Sequence, residues 1–298
     1  MFEAFEGPGQ FLRGNLHGHS TGSDGALTPE EVCSRYREAG YDFVVLSDHF
    51  FERYGFPITK TEAFRQRGFT TLLGAELHTR ETSRGELWHI VAAGLPADFA
   101  PTAADESGPD LARRAAEAGA FVAIAHPLWS QLTEADGLAI DHAHAVEIYN
   151  HKSALETDRG DGLYLWDALL HAGRRVTAVA CDDSHWKNRD AFGGWVMVRA
   201  EPEDPASILE ALRRGAFYSS QGPAIFEATR EGDDILVRCS AATSVILAGP
   251  MSWRQRVLGS DIETAKLPIE PEAGGWRRLI VRDANGRRAW SNPFWIDA

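Results

Sequence analysis

Two histidines spaced two apart, with an aspartate five residues further on, are the first residues in this chain whose types and spacing could do chemistry. Residues 13–25 read RGNLHGHSTGSDG and carry His17, His19 and Asp24. In a strand, residues i and i+2 point to one side, so both imidazoles can face a single point. The Gly/Ser/Thr-rich segment that follows can turn back and bring the Asp24 carboxylate to that point. Two neutral imidazoles plus a hard oxygen suit Zn, Mn or Fe. A solvated surface strand can carry the same H-x-H, so the reading needs partners from elsewhere in the chain.

The elements that would supply them follow in order. Thr28, Pro29 and Glu31 spell a helix start with a capping box, and Gly40 ends that helix. The strand expected over 43–46 delivers Asp48 and His49. A strand over 70–75 ends in Glu76, and one over 87–93 contains His89. A helix over 109–118 precedes the strand FVAIA and then His126-Pro127. The strand over 145–149 leads to Asn150. The helix over 163–172 precedes the strand VTAVA and then Cys181-Asp182-Asp183-Ser184-His185. A strand over 195–199 and a helix over 205–214 close the series.

This rhythm of about seven strands alternating with helices predicts an α/β fold, a closed or nearly closed barrel with strands buried on both faces. His49, Glu76, His126 and His185 would then sit just past apolar strands, at the C-terminal strand ends where such barrels place their active face. From Gln221 the pattern becomes alternating short runs with Gly-Asp-Asp and Asn285-Gly286 turns, which predicts an antiparallel β-module. The expected division is an α/β barrel over 1–220 and a C-terminal β-rich module over 221–298. Residues 98–110 read as a surface loop.

Composition narrows the function classes. The 298 residues are 44% hydrophobic and 24% charged, as in ordinary globular proteins. A formal charge of −13 argues against an extended nucleic-acid-binding surface. Cys33, Cys181 and Cys239 fit no paired or C-x-x-C pattern and read as reduced, buried thiols. No signal peptide is expected at the start and no apolar run approaches a membrane span, so a cytoplasmic protein is the expectation.

The candidate cluster is therefore His17, His19, Asp24, His49, Glu76, His89, His126, Asp183 and His185. Burying so many polar groups without a compensating ion would be costly. At these positions the sequence resembles the PHP (polymerase and histidinol phosphatase) metallohydrolases. His17, His19 and Asp24 match the family's first motif, and His49 in SDH its second. Glu76 matches the third-strand glutamate, and His89 the next strand's histidine. His126 matches the A-H-P motif, and Asp183-Ser184-His185 the terminal D-x-H. The segment ALRRGAFYSSQGP and the β-tail closing on SNPFWI are similar to the CehA/McbA-like branch. The resemblance implies a distorted (β/α)7 barrel, two or three divalent ions (Mn, Zn or Fe) on those nine ligands, and hydrolysis of a small anionic, phosphorylated substrate. Asp183, His185 and His126 are the catalytic candidates, with the leaving-group proton coming from one of the metal-side histidines or Asp183.

Other residues near these motifs have plainer readings. His78, two beyond Glu76, could bind substrate or a group behind the ligands but is expected on a strand surface, while Glu147 and Asn150 are expected to hydrogen-bond the ligands rather than bind metal. His142, His144, His151 and His171 read as ordinary, and Asp48 or Asp182 could orient neighbouring histidines. Arg53, Arg80, Lys152, Lys187 and Arg189 follow strands, where cations can grip a phosphate, although each also reads as a surface charge. Three rival readings stay open. An amidohydrolase-type barrel also starts with H-x-H but usually needs a carboxylated lysine, and Lys152 is the one in a comparable place. A second rival hydrolyses a carbamate or carboxyl ester at the same ions. In the third, the metals only hold a structural domain together.

Overall fold

The computed structural model describes residues 2–201 and 204–296. The first part of the chain contributes β1 (Gln10–Asn15), α1 (Pro29–Glu38), β2 (Phe43–Leu46), β3 (His49–Phe50), β4 (Thr70–Glu81) and β5 (Leu87–Ala93). It continues with α2 (Gly108–Glu117), β6 (Phe121–Ile124), α3 (Glu134–Ala139), β7 (Ala145–Asn150), α4 (His151–Thr157), α5 (Leu163–His171), β8 (Thr177–Cys181), β9 (Trp195–Ala200), α6 (Pro205–Arg214) and β10 (Phe217–Ser220). The remainder is antiparallel: β11 (Ile225–Glu231), β12 (Asp234–Ala248), β13 (Arg254–Pro268), β14 (Gly275–Arg282), β15 (Arg288–Ser291) and β16 (Phe294–Ile296). The protein is thus mixed α/β around a central sheet. Among the described residues no helix is long and apolar enough to cross a membrane.

The strands neighbour one another in the order β1-β2-β4-β5-β6-β7-β8, with β9 and then β10 on the other side of β1. The regular parallel alternation expected from the sequence is broken at β5 and again at β9, which is antiparallel to both β1 and β10. β4 and β5 form an antiparallel pair with no helix between them, and β5 is also antiparallel to β6. β4 is also longer than expected: it runs on through Glu76 to Glu81, so Glu76 lies within a strand instead of past its end. Apolar residues before and after Glu76 keep the strand going, and Val91 of β5 pairs opposite it.

A continuous closed barrel is likewise not what the pairings show. β9 occupies the edge of β1 along residues 10–14, so that edge becomes available to the β8 end of the sheet only beyond Asn15. There Gly18 bridges Ser184, the His19 N–H donates to the Ser184 carbonyl (2.8 Å), and the Asp183 N–H donates to the His17 carbonyl (2.8 Å). Lower on β8, side chains stand in for a partner strand. The Ala178 N–H donates to Asn292 Oδ1 (2.9 Å) and the Ala180 N–H to Ser219 Oγ (3.0 Å). The short closure therefore brings together the two sequence motifs richest in candidate ligands.

Both faces of these strands are buried, which explains their near-continuous apolar runs. Phe43, Val45, Val91, Ala93, Phe121 and Ala123 turn to one core, against which α6 packs Ile208, Ala211 and Leu212. Their neighbours Ile90, Ala92, Val122 and Ile124 join a second core with Leu111 and Ala115 of α2 and Trp166 and Leu169 of α5. Gly14 is required by close packing, because a Cβ there would overlap the Phe43 ring. The C-terminal strands carry their own core, including Val237, Val245, Leu279 and Val281. They connect to the rest through the β10–β15 ladder and through the buried Arg278, which pairs with Asp167 of α5.

Candidate metal centre

Each candidate side chain is placed by local backbone features. His17 and His19 extend β1 past Asn15, both fully buried. His49 begins β3 and stands opposite Glu76 in parallel register, while His78 and His89 face each other across the β4–β5 pair. His126 and Asp183 follow β6 and β8 at positive φ, 22° and 57°. Non-glycine residues adopt such angles only where surrounding contacts hold them. Here the His126 N–H donates to Glu147 Oε2 at 2.6 Å, and Asp183 is tied to His17 as described.

Glu76 is the hub. Its Oε1 lies 2.7 Å from His89 Nδ1 and 3.2 Å from His126 Nε2. Its Oε2 lies 2.6 Å from His49 Nδ1, 3.5 Å from His19 Nε2 and His78 Nε2, and 3.6 Å from His17 Nε2. Asp183 Oδ1 is 3.0 Å from His19 Nε2 and 3.3 Å from His17 Nε2. At the mouth, Asp24 Oδ1 is 3.2 Å from His185 Nε2 and 3.4 Å from His49 Nε2. All nine sequence candidates thus converge on one cluster.

His78 joins them, contrary to the surface position expected for it. It is 2% exposed, its Nε2 is 2.9 Å from His49 Nδ1, and Phe51 stacks on its ring. The signal was present as Glu76-Leu77-His78: two ligand types at i and i+2 on a strand share a side. Glu147 and Asn150 brace the cluster. Glu147 Oε1 is 3.0 Å from His17 Nδ1, and Asn150 Nδ2 donates to Glu147 Oε2 and Asp183 Oδ2. A carboxylate on one imidazole nitrogen fixes the tautomer that leaves the other free to ligate. Asp48 and Asp182, however, do not orient histidines. Asp48 accepts from Ser20, Ser23 and Thr59, and Asp182 from Tyr36, Phe192, Gly193 and Gly194, so both hold loops. His142, His144 and His151 bond Asp141, the Val122 N–H and Tyr149 respectively, and none belongs to a metal-competent group.

The electrostatics follow from crowding. Burial opposes ionisation of Glu76, yet His49, His78, His89 and His17 outweigh it and hold the carboxyl well below the usual range. Burial is likewise outweighed at Asp183, by His17, His19 and His185. His17 is raised because Asp183, Glu147 and Glu76 outweigh its burial, and His126 and His185 are raised for similar reasons. Burial wins at His78, which falls to about 3, and at His19 and His89, which are also lowered.

The donor set fits divalent metal ions. His17, His19 and Glu76 form one group with ligand atoms within 4.8 Å of each other, as do His17, His126 and Asp183, and Glu76, His89 and His126. His19, Asp24, His49 and His185 form another, and His49, Glu76 and His78 a fifth. Buried His17 Nε2, His19 Nδ1, His78 Nδ1, Asp24 Oδ1 and Glu76 Oε2 make no properly directed hydrogen bond. Nitrogen and carboxylate donors left in this state are what an ion would satisfy.

Above the cluster is a cleft of about 320 Å³. Of the five cations singled out from the sequence, Arg53 and Lys152 line it. Lys187 pairs with Asp24 Oδ2 (3.2 Å), Arg80 bonds the Ala104 carbonyl, and Arg189 is exposed. Trp129 and Leu87 form an apolar wall, with the indole edge-on to His126 and His89.

No known family profile matches the chain, and no curated protein matches it. Among solved structures, it is similar to a two-domain protein from Bacteroides vulgatus containing a predicted PHP-like metal-dependent phosphoesterase. The identity is 16%, the TM-score 0.55, and 99% of this chain and 98% of that chain are covered. The likeness extends over both the ligand-bearing strands and the C-terminal antiparallel part, and shows a shared fold. An amidohydrolase from Chromobacterium violaceum is more remote, at 18% identity and TM-score 0.45 over 59% of this chain and 89% of that one.

Proposed function

We propose that this chain is a metal-dependent hydrolase of the PHP type that cleaves phosphate esters of small anionic compounds. The observation that carries the reading is the convergence of His17, His19, Asp24, His49, Glu76, His89, His126, Asp183 and His185 on one cleft, with buried donor atoms left unpaired. Two or three divalent ions bound there would supply Lewis acidity toward the ester oxygens and make water a nucleophile at neutral pH.

The chain's own residues do the rest. Glu147 holds His17 in one tautomer, and Glu76 reaches toward six imidazoles at once. Ser130 lies 3.1 Å from His126 Nδ1 and orients that ring. His185 Nδ1 is fixed on the Asp183 carbonyl at 2.9 Å, which leaves Nε2 beside Asp24 at the cleft mouth. With two ions in the deeper groups, His185 is placed to pass a proton from Nε2 to the leaving oxygen. With a third ion at the mouth, it is a ligand instead.

The test is a panel of p-nitrophenyl phosphate, p-nitrophenyl acetate and an aryl carbamate, offered to manganese-, zinc- and iron-loaded protein. The expected result is turnover of the phosphate ester that stops on chelation. Turnover confined to the acetate or carbamate would replace the phosphoesterase reading with the carboxyl-ester or carbamate one. No turnover of any member by metal-loaded protein would count against hydrolysis.

A further inference from the structure

Arg53 and Lys152 line the cleft but belong to none of the metal-competent groups. Lys152 lies in the first turn of α4, the helix that starts directly after β7. Asn150 caps that helix, accepting the Ser153 N–H on Oδ1 at 2.8 Å while its Nδ2 reaches Asp183 Oδ2 at 3.2 Å. The Lys152 N–H donates to the Asp182 carbonyl (3.0 Å). The lysine backbone is therefore fixed relative to the cluster through two independent ties.

Its side chain is only 21% exposed, and the ammonium pairs with Glu156 at 3.1 Å. Asn188 holds the other oxygen of Glu156, also at 3.1 Å. An i,i+4 pair with an exposed carboxylate is weak and can be exchanged for a better anion. Arg53 lies over the Phe51 and Tyr54 rings, 4.9 and 4.8 Å from their centroids. Among the described residues it has no carboxylate partner within ion-pair distance.

We propose that Lys152 exchanges Glu156 for the non-bridging oxygens of a substrate phosphoryl group, with Arg53 as a second cation at the rim, so that the cleft selects phosphate monoesters over diesters. This rests on the phosphoesterase reading. A monoester carries close to two negative charges and three non-bridging oxygens. It can therefore face the cluster and still offer charge to Lys152. A diester has one charge and two such oxygens, and its second substituent must share a cleft of about 320 Å³. Lys152 thus acts as a specificity residue that touches substrate, with Glu156 as its resting partner.

The experiment is calorimetric titration of manganese-loaded protein with inorganic phosphate at fixed ionic strength, with metal content measured in every sample. Lys152→Met keeps the stem and removes the charge. It should weaken phosphate binding about tenfold or more, the usual cost of losing a hydrogen bond to a charged group. Glu156→Gln removes the competitor and should tighten binding roughly two- to fivefold, the scale of an exposed ion pair. Metal content should not change in either. The preference for p-nitrophenyl phosphate over bis(p-nitrophenyl) phosphate should also fall in Lys152→Met. Phosphate affinity within twofold of wild type in Lys152→Met, while wild type binds phosphate and turns over the monoester, overturns the Lys152 assignment alone. Wild-type protein that neither binds phosphate nor hydrolyses either ester overturns the phosphoesterase reading with it.

Discussion

Glu76→Gln is expected to reduce phosphate-ester turnover by roughly a thousandfold or more, beyond the ~10–100-fold typical of changes outside the direct ligands. The substitution keeps size and shape but replaces one anionic oxygen by a donor N–H₂. Glu76 belongs to three of the five metal-competent groups, and its two oxygens address imidazoles from five stretches of the chain, around residues 17, 49, 78, 89 and 126. No other carboxylate in the cluster faces so many. A donor at either oxygen position would turn hydrogens toward the place where a cation should sit. Bound metal should fall in parallel with turnover. Glutamine also forfeits the stability that ionised Glu76 contributes among its imidazoles, so metal-free Glu76→Gln should melt below metal-free wild type at neutral pH. Full turnover by Glu76→Gln would remove Glu76 from the site.

Metal removal should destabilise the protein, and by more as pH rises. Ligation needs neutral imidazoles and ionised carboxylates. His17, His126 and His185 are raised above their ordinary value in the metal-free cluster. Their protonation therefore contributes stability that is fully present below the unfolded histidine value, about 6.5, and is lost as pH rises through the folded values. Glu76 and Asp183 are held low, so their contribution is present above the unfolded carboxyl range, about 4, and is lost only as pH falls through the folded values. Metal-free protein is accordingly best compensated between those limits. Above them the clustered carboxylates depend on metal for countercharge. At a thousandfold excess of metal over Kd the stabilisation is about 4 kcal/mol, or on the order of 10 °C in melting temperature. Melting curves with and without manganese at pH 5.5 and 8 should show the wider gap at pH 8. A gap that is wider at pH 5.5 would contradict this account of the cluster.

Much of the site was legible because ligand spacing is local. His17-x-His19 can be read from strand geometry alone, and His49, His126 and Asp183-x-His185 stand just past clear apolar strands. The succession of strands and helices along the chain also followed from the capping box at Thr28 and from the apolar runs after it. What could not be read were properties set by partners far along the chain. The β4–β5 antiparallel pair looks like two ordinary strands in sequence, since burial on both faces removes the alternation that would mark direction. The extension of β4 through Glu76 and His78 depends on β5 lying beside it, which is why His78 looked superficial. The break in the ring between β1 and β8 depends on β9 covering residues 10–14 of β1, a contact with no local sequence signature. The tasks of Asp48 and Asp182 were misjudged for the same reason, because the loop N–H and hydroxyl groups they serve become neighbours only in the folded chain.

Whether this cluster is a multinuclear metal centre is read out by elemental analysis of protein reconstituted with manganese, zinc or iron and freed of loosely held ions. Two or three tightly held ions per chain are expected, two leaving His185 as a proton donor and three making it a ligand, with a lower count in Asp183→Ala. Fewer than one ion per chain for every metal offered would contradict a multinuclear centre, and the buried imidazoles and carboxylates would then have to be compensating only one another.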